Sequence, residues 1–106
     1  MSNEVDVEEA RELLDEGATI VDVRTEEEYA EGHIPESVST PMPEFTAHLG
    51  SLEGLEPILL VCEKGEASRQ AGLLLNSYGG VDGEEVYNLS PGLREWNGEL
   101  DGGNGD

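Results

Sequence analysis

The sequence predicts an α/β domain built on a mostly parallel central sheet flanked by helices. Three observations carry this expectation. Short apolar runs at 18–23, 57–62 and near 86–89 are rich in Val, Ile and Leu and read as buried strands. Segments with helical spacing and capping residues lie between them. The two kinds alternate along the chain, as in units where a crossover helix joins parallel strands. A length of 106 residues suits one such domain better than two. We assign it to 1–100, with "DGGNGD" (101–106) as a disordered tail.

The elements follow in order. In "DVEEARELLDEG", Asp6 is the expected N-cap and Glu9 its capping-box partner. Val7, Ala10, Leu13 and Leu14 share one face, and Gly17 ends the helix. "ATIVDV" (18–23) is a short buried strand. Thr25 starts a second helix, with Glu28 at the capping-box position and Gly32 as the stop. "HIPESVSTPMP" carries three prolines and reads as extended, with a short strand over 38–40. "EFTAHLGSLEG" holds one or two helical turns. "PILLVC" (57–62) is a strong strand that opens on proline. Residues 68–78 form a helix with Ala71, Leu74, Leu75 and Tyr78 on its packed face. "GGVDGEEVYNL" is a turn and a third clear strand, and "SPGLREWNGEL" a last short helix containing Trp96.

Charge dominates the composition. Five basic residues against 25 acidic ones give a net charge of -20. Such a surface repels nucleic acid and anionic membranes, so neither is an expected partner. It fits adaptation to high salt, because molar salt shortens the Debye length to about 3 Å and removes most of the self-repulsion. Lys64 is the only lysine, which suits the same halophilic reading. No apolar run approaches the ~20 residues of a membrane span, and the N-terminus lacks a signal-peptide pattern. A soluble, cytoplasmic protein is expected. One cysteine allows no internal disulfide, which fits a reducing compartment.

That cysteine, Cys62, ends the central apolar run and enters the loop "EKGEA" ahead of a helix. Helix N-terminal N–H groups favour negative charge, and Gly65 lets the loop curl its amides inward as an anion cradle. Such a cradle suits a thiolate, a persulfide or a bound oxyanion. Glu63 and Glu66 oppose it, with only Lys64 and Arg69 to compensate. From these residues alone, an inert buried thiol and a nucleophile are equally good readings. Ligands of parallel sheets bind beyond the carboxyl ends of the strands. Asp22, Arg24, Cys62 and Ser90 are expected there on one rim, with Cys62 in the middle.

Three stretches resemble the rhodanese-like family. "VDVRTEEEYAEGHIPES" is similar to its Asp-x-Arg strand end, Glu-Tyr helix and Gly-His-Ile-Pro corner. "VCEKGEASRQAGLLLNSYG" resembles its active-site loop and following helix, and "VYNLSPGLREW" its closing strand and turn. The resemblance spans roughly 5–98, in the family's order. It implies a three-layer fold and a sulfurtransferase in which Cys62 takes sulfane sulfur from thiosulfate or a persulfide. The resulting cysteine persulfide passes its sulfur to a thiol or a protein acceptor. The loop residues Glu63, Lys64, Gly65, Glu66, Ala67 and Ser68 would bind the substrate, with Asp22, Arg24 and Arg69 in support. It implies no cofactor and no metal. His33 would fix the Gly-His-Ile-Pro corner, and Asp22 and Arg24 would brace loops. Members often carry arginine where this chain has Ala67, and Arg69 falls one place later. Two other functions compete: a non-catalytic module that binds a partner, and a phosphatase or arsenate reductase. The latter resemble His-Cys-x5-Arg, whereas Val61 precedes this cysteine and six residues separate it from Arg69.

Overall fold

The computed structural model describes residues 3–102. Among these, five strands form one sheet: β1 (Asn3–Val5), β2 (Thr19–Asp22), β3 (Val38–Ser39), β4 (Ile58–Val61) and β5 (Val86–Leu89). Their order across the sheet is β1-β5-β4-β2-β3, and every pairing is parallel. The helices are α1 (Val7–Asp15), α2 (Glu26–Glu31), α3 (Met42–Phe45) and α4 (Glu66–Tyr78), with 3-10 segments at Thr46–Leu52, Gly83–Glu85 and Leu93–Glu95.

Side-chain alternation along the strands splits the core into two layers. Ile58 and Leu60 of β4 pack with Val21, Phe45, Ala71 and Leu75, so α3 and α4 cover that face. Leu59 and Val61 pack with Ile20, Ala10, Leu13 and Ile34, so α1 covers the other. A central strand buried on both faces explains why "ILLV" reads as one unbroken apolar run. The same alternation assigns Cys62, next after β4, to the α4 side, where it belongs to that cluster.

Both expected capping boxes form. Asp6 accepts from the Glu9 N–H at 2.8 Å while Glu9 accepts from the Asp6 N–H at 3.1 Å. Thr25 and Glu28 make the same reciprocal pair, both at 3.1 Å. Four features differ from expectation. β1 was not foreseen, because it has three residues and buries only Val5. Helix α4 begins at Glu66, two residues earlier than expected. Its inward stripe is Ser68, Ala71, Gly72 and Leu75, while Leu74 and Tyr78 are exposed. The last helix is a single 3-10 turn, and Trp96 caps it from outside and packs against the α1 layer.

His33 stacks on Tyr29 with ring centroids 3.8 Å apart, and its Nδ1 lies 2.7 Å from the Tyr29 carbonyl. Its backbone forms an antiparallel bridge with Asp101. Of the tail expected over 101–106, residues 103–106 lie outside the described residues. No helix among the described residues is long and apolar enough to cross a membrane.

Candidate active site

Strand order creates the cleft. After β2 the chain turns outward to β3, and after β4 it turns the opposite way to β5. The loops leaving these neighbours therefore diverge, and a crevice opens at the carboxyl ends of β2 and β4. It encloses about 380 Å³. Cys62 lies at its base beside Ala67, Arg24 and Glu28 border it, and Met42 and Pro43 add an apolar wall.

The loop after β4 wraps around the sulfur. Cys62 Sγ accepts from the Gly65 N–H at 3.1 Å and the Ser68 N–H at 3.3 Å, and Ser68 Oγ lies 3.2 Å away. Both N–H groups belong to the start of α4, a 13-residue helix, so its dipole adds to their field at the sulfur. Cys62 is only 4% exposed, so water screens that field poorly. Oriented donors in such a setting stabilise negative charge on sulfur without reorganising.

Glycine is required at two points of this arrangement. Gly65 has φ +88°, and a Cβ there would lie 2.0 Å from the Ser90 carbonyl oxygen. Gly92 has φ +82°, and a Cβ would lie 2.2 Å from the Glu63 carbonyl oxygen. The turn after β5 backs the cysteine loop: the Leu93 N–H donates to the Cys62 carbonyl at 2.8 Å and the Arg94 N–H to that of Glu63 at 3.1 Å. Expectation put Ser90 on the rim, and it is the backbone of its turn that does the work.

Asp22 is fully buried at the end of β2 and holds Arg24 by two prongs, Nε at 3.0 Å and Nη2 at 2.9 Å. Nη2 also donates to the Gly32 carbonyl at 2.7 Å, which ties the cleft wall to the end of α2. Burial alone would depress the Arg24 guanidinium; its hydrogen bond to Asp22 and the charges of Asp22, Glu28 and Glu63 raise it above its ordinary value. Nη1 lies 3.8 Å from Glu63 Oε1.

The structure thus gathers Cys62, Glu63, Lys64, Glu66, Ala67 and Arg24 around the cleft, with Gly65 and Ser68 buried beneath them. Asp22 reaches the site only through Arg24. Arg69 is exposed and does not line the cleft, because one step along a helix turns a side chain by about 100°. Sequence reasoning missed Glu28, Met42 and Pro43 as lining residues, and also Asn88, which contacts Ser68 from β5. Glu28 carried a usable signal in its fixed place in the capping box; the others carried none. Among the described residues, no three of His, Cys, Asp and Glu converge as metal ligands.

Comparison with known proteins agrees with this geometry. The family model "Rhodanese-like domain" matches residues 6–99. The chain is 30% identical to the thiosulfate sulfurtransferase GlpE of Pseudomonas savastanoi pv. phaseolicola over 84% of its own length and 81% of that protein's. It is 33% identical to the putative sulfur carrier protein YrkF of Bacillus subtilis over 82% of its own length, but spans only 45% of that protein. Among solved structures, a rhodanese-like domain protein from Staphylococcus aureus superposes with a TM-score of 0.81 at 30% identity, covering 96% of this chain and 99% of that one. The human single-domain sulfurtransferase TSTD1 gives 0.69 at 28% identity, covering 85% and 92%. A matching family model over most of the chain, an all-parallel five-stranded sheet and a cysteine at its central strand end lead to one conclusion: this protein belongs to the rhodanese-like domain family.

Proposed function

We propose that the protein is a sulfurtransferase that carries sulfane sulfur as a persulfide on Cys62. The observation that carries this reading is the convergence of the Gly65 and Ser68 N–H groups on Cys62 Sγ at the base of an open cleft. In the first step the thiolate attacks the sulfane sulfur of the donor. An S–S bond to Cys62 forms, and the bond to the donor breaks with its electron pair leaving on sulfite or a thiolate. A nucleophilic acceptor then attacks the outer sulfur, and the electron pair of the broken bond returns to Cys62 Sγ. The N–H groups face the sulfur that is anionic at the start and again at the end.

The lining favours one donor class. Glu28, Glu63 and Glu66 outnumber Arg24 and Lys64 in the cleft, and Arg24 is already engaged by Asp22. A persulfide of low charge with an apolar body fits that balance, and the wall of Val23, Met42 and Pro43, better than dianionic thiosulfate. The acceptor is a thiol or another protein. The names of the relatives, a thiosulfate sulfurtransferase and a putative sulfur carrier, support the same chemistry. A cytoplasmic location suits thiol chemistry, and the net charge of -20 supports a high-salt working environment.

Incubation with thiosulfate and with a small organic persulfide, followed by intact mass spectrometry, tests this. The expected result is one added sulfur atom on Cys62, faster from the persulfide and lost in Cys62→Ser; an unmodified protein with both donors overturns it. The acidic rim of Glu63 and Glu66 favours a second reading, a partner-binding module without turnover. On that reading, partner capture survives Cys62→Ser.

A further inference from the structure

Asn88 does not line the cleft, and the chemistry above does not use it. It is fully buried on β5, two residues from Val86 and therefore on the face that packs against α4. Its amide nitrogen donates to Glu4 Oε1 at 2.8 Å and to the Gly65 carbonyl at 3.1 Å. Both amide hydrogens are thereby committed, which fixes which way the group faces. The atom turned toward Ser68 is Oδ1, which can only accept. Ser68 Oγ–H thus has two candidate acceptors, Asn88 Oδ1 and Cys62 Sγ.

We propose that Asn88 is a positioning residue for Cys62 that acts through Ser68, holding the hydroxyl proton away from the sulfur. With that proton on Oδ1, the Ser68 lone pairs face the thiol and can accept its hydrogen. A thiolate recruits the hydroxyl only by leaving Oδ1 buried and unpaired, which is unfavourable. The anion is then stabilised by the Gly65 and Ser68 N–H groups alone. Sulfur that is stabilised less is intrinsically the better nucleophile, while as leaving group in the discharge step it departs more slowly, so the contact favours attack on the donor. Glu4 contributes from the edge strand β1 by securing the amide.

The other charged groups around the thiol are Arg24 at the β2 end, Glu28 on α2, and Glu63, Lys64 and Glu66 on the loop; α3 presents only Met42 and Pro43. None of them changes in the variants below, but Asn88→Ala also removes the bonds to Glu4 and to the Gly65 carbonyl, so the Ser68–Asn88 contact is read from the difference between its effects with and without the hydroxyl.

The inference rests on Cys62 being the sulfur carrier, but its test needs no sulfur donor. The rate of Cys62 alkylation by iodoacetamide is followed against pH in wild type, Asn88→Ala, Ser68→Ala and the double variant, each confirmed folded by circular dichroism. Asn88→Ala frees the hydroxyl for the thiolate, so the alkylation midpoint moves to lower pH by roughly one unit, the effect of one hydrogen bond to a charged group. In the Ser68→Ala background, the same substitution moves nothing. An Asn88→Ala shift of equal size with and without the hydroxyl, or no shift at all, overturns the proposal. Should Asn88→Ala fail to fold, Ser68→Ala alone decides. A midpoint unchanged or lowered agrees with a hydroxyl already engaged by Asn88, and a midpoint raised overturns it. A protein that alkylates as expected yet never accepts sulfur from a donor would sink the transfer reading and leave this contact intact.

Discussion

Gly65 concentrates several demands on one position. It caps α4 from the left-handed region, donates its N–H to Cys62 Sγ, and lies against the Ser90 carbonyl with no room for a Cβ. Gly65→Ala must strain the backbone and push the β5 turn away. The left-handed conformation alone costs of order 1–3 kcal/mol for a non-glycine residue. We expect a melting point lowered by several degrees and persulfide formation on Cys62 slowed more than ten-fold, read by thermal unfolding and mass spectrometry. Gly65 and Cys62 were legible in the sequence as a strand-end cysteine and its glycine loop, because those residues are local. Asn88 was not legible. It lies 26 residues beyond the cysteine, and only the pairing of β4 with β5 brings it to Ser68.

At the level of elements, capping carries the legible signal. Helix α2 has six residues and buries none of them, so packing gives it little and its caps matter more. Thr25→Ala removes the hydroxyl that accepts from the Glu28 N–H, at a cost of about 1 kcal/mol. It also loosens Glu28, which borders the cleft. Faster amide exchange at Glu28 and Tyr29, with α1 unaffected, is the expected result by hydrogen-exchange mass spectrometry or NMR. Helix α4 shows the limit of such reading. A stripe through Ala71, Leu74, Leu75 and Tyr78 and one through Ser68, Ala71, Gly72 and Leu75 both have helical spacing. Hydrophobicity favours the first. The sheet takes the second, because Ser68 must face Asn88 and Cys62, and the helix turns accordingly.

On the scale of the molecule, charge is the controlling quantity. A net charge of -20 on 106 residues repels itself in any compact state. The glutamates of the α1 and α2 first turns are partly used, through caps and helix dipoles. Among the described residues, only Arg24 forms ion pairs, with Asp22 and Glu63, so most of the acid surface has no counter-charge within the chain. Added salt should therefore stabilise the fold. Between about 10 mM and 1 M KCl, where the Debye length falls from about 30 Å to 3 Å, the melting point should rise steadily by calorimetry. A flat or falling curve counts against self-repulsion as the main destabilising force. In the same series, sulfur transfer from thiosulfate should gain more from salt than transfer from a neutral persulfide, since screening lifts the repulsion of a dianion.

Local chemistry was the province of the sequence. The order of the main elements, both capping boxes, the apolar run of β4 and the strand-end cysteine with its glycine loop each depend on residues a few positions apart, where spacing alone sets geometry. Tertiary structure decided what depends on distant segments meeting. The parallel edge strand β1 has too few residues to leave a periodic signal, and it exists by pairing with β5. The exclusion of Arg69 from the cleft follows from how α4 is turned against the sheet. The Asn88–Ser68–Cys62 contact joins a strand, a helix and a loop, and only the strand order brings those three together.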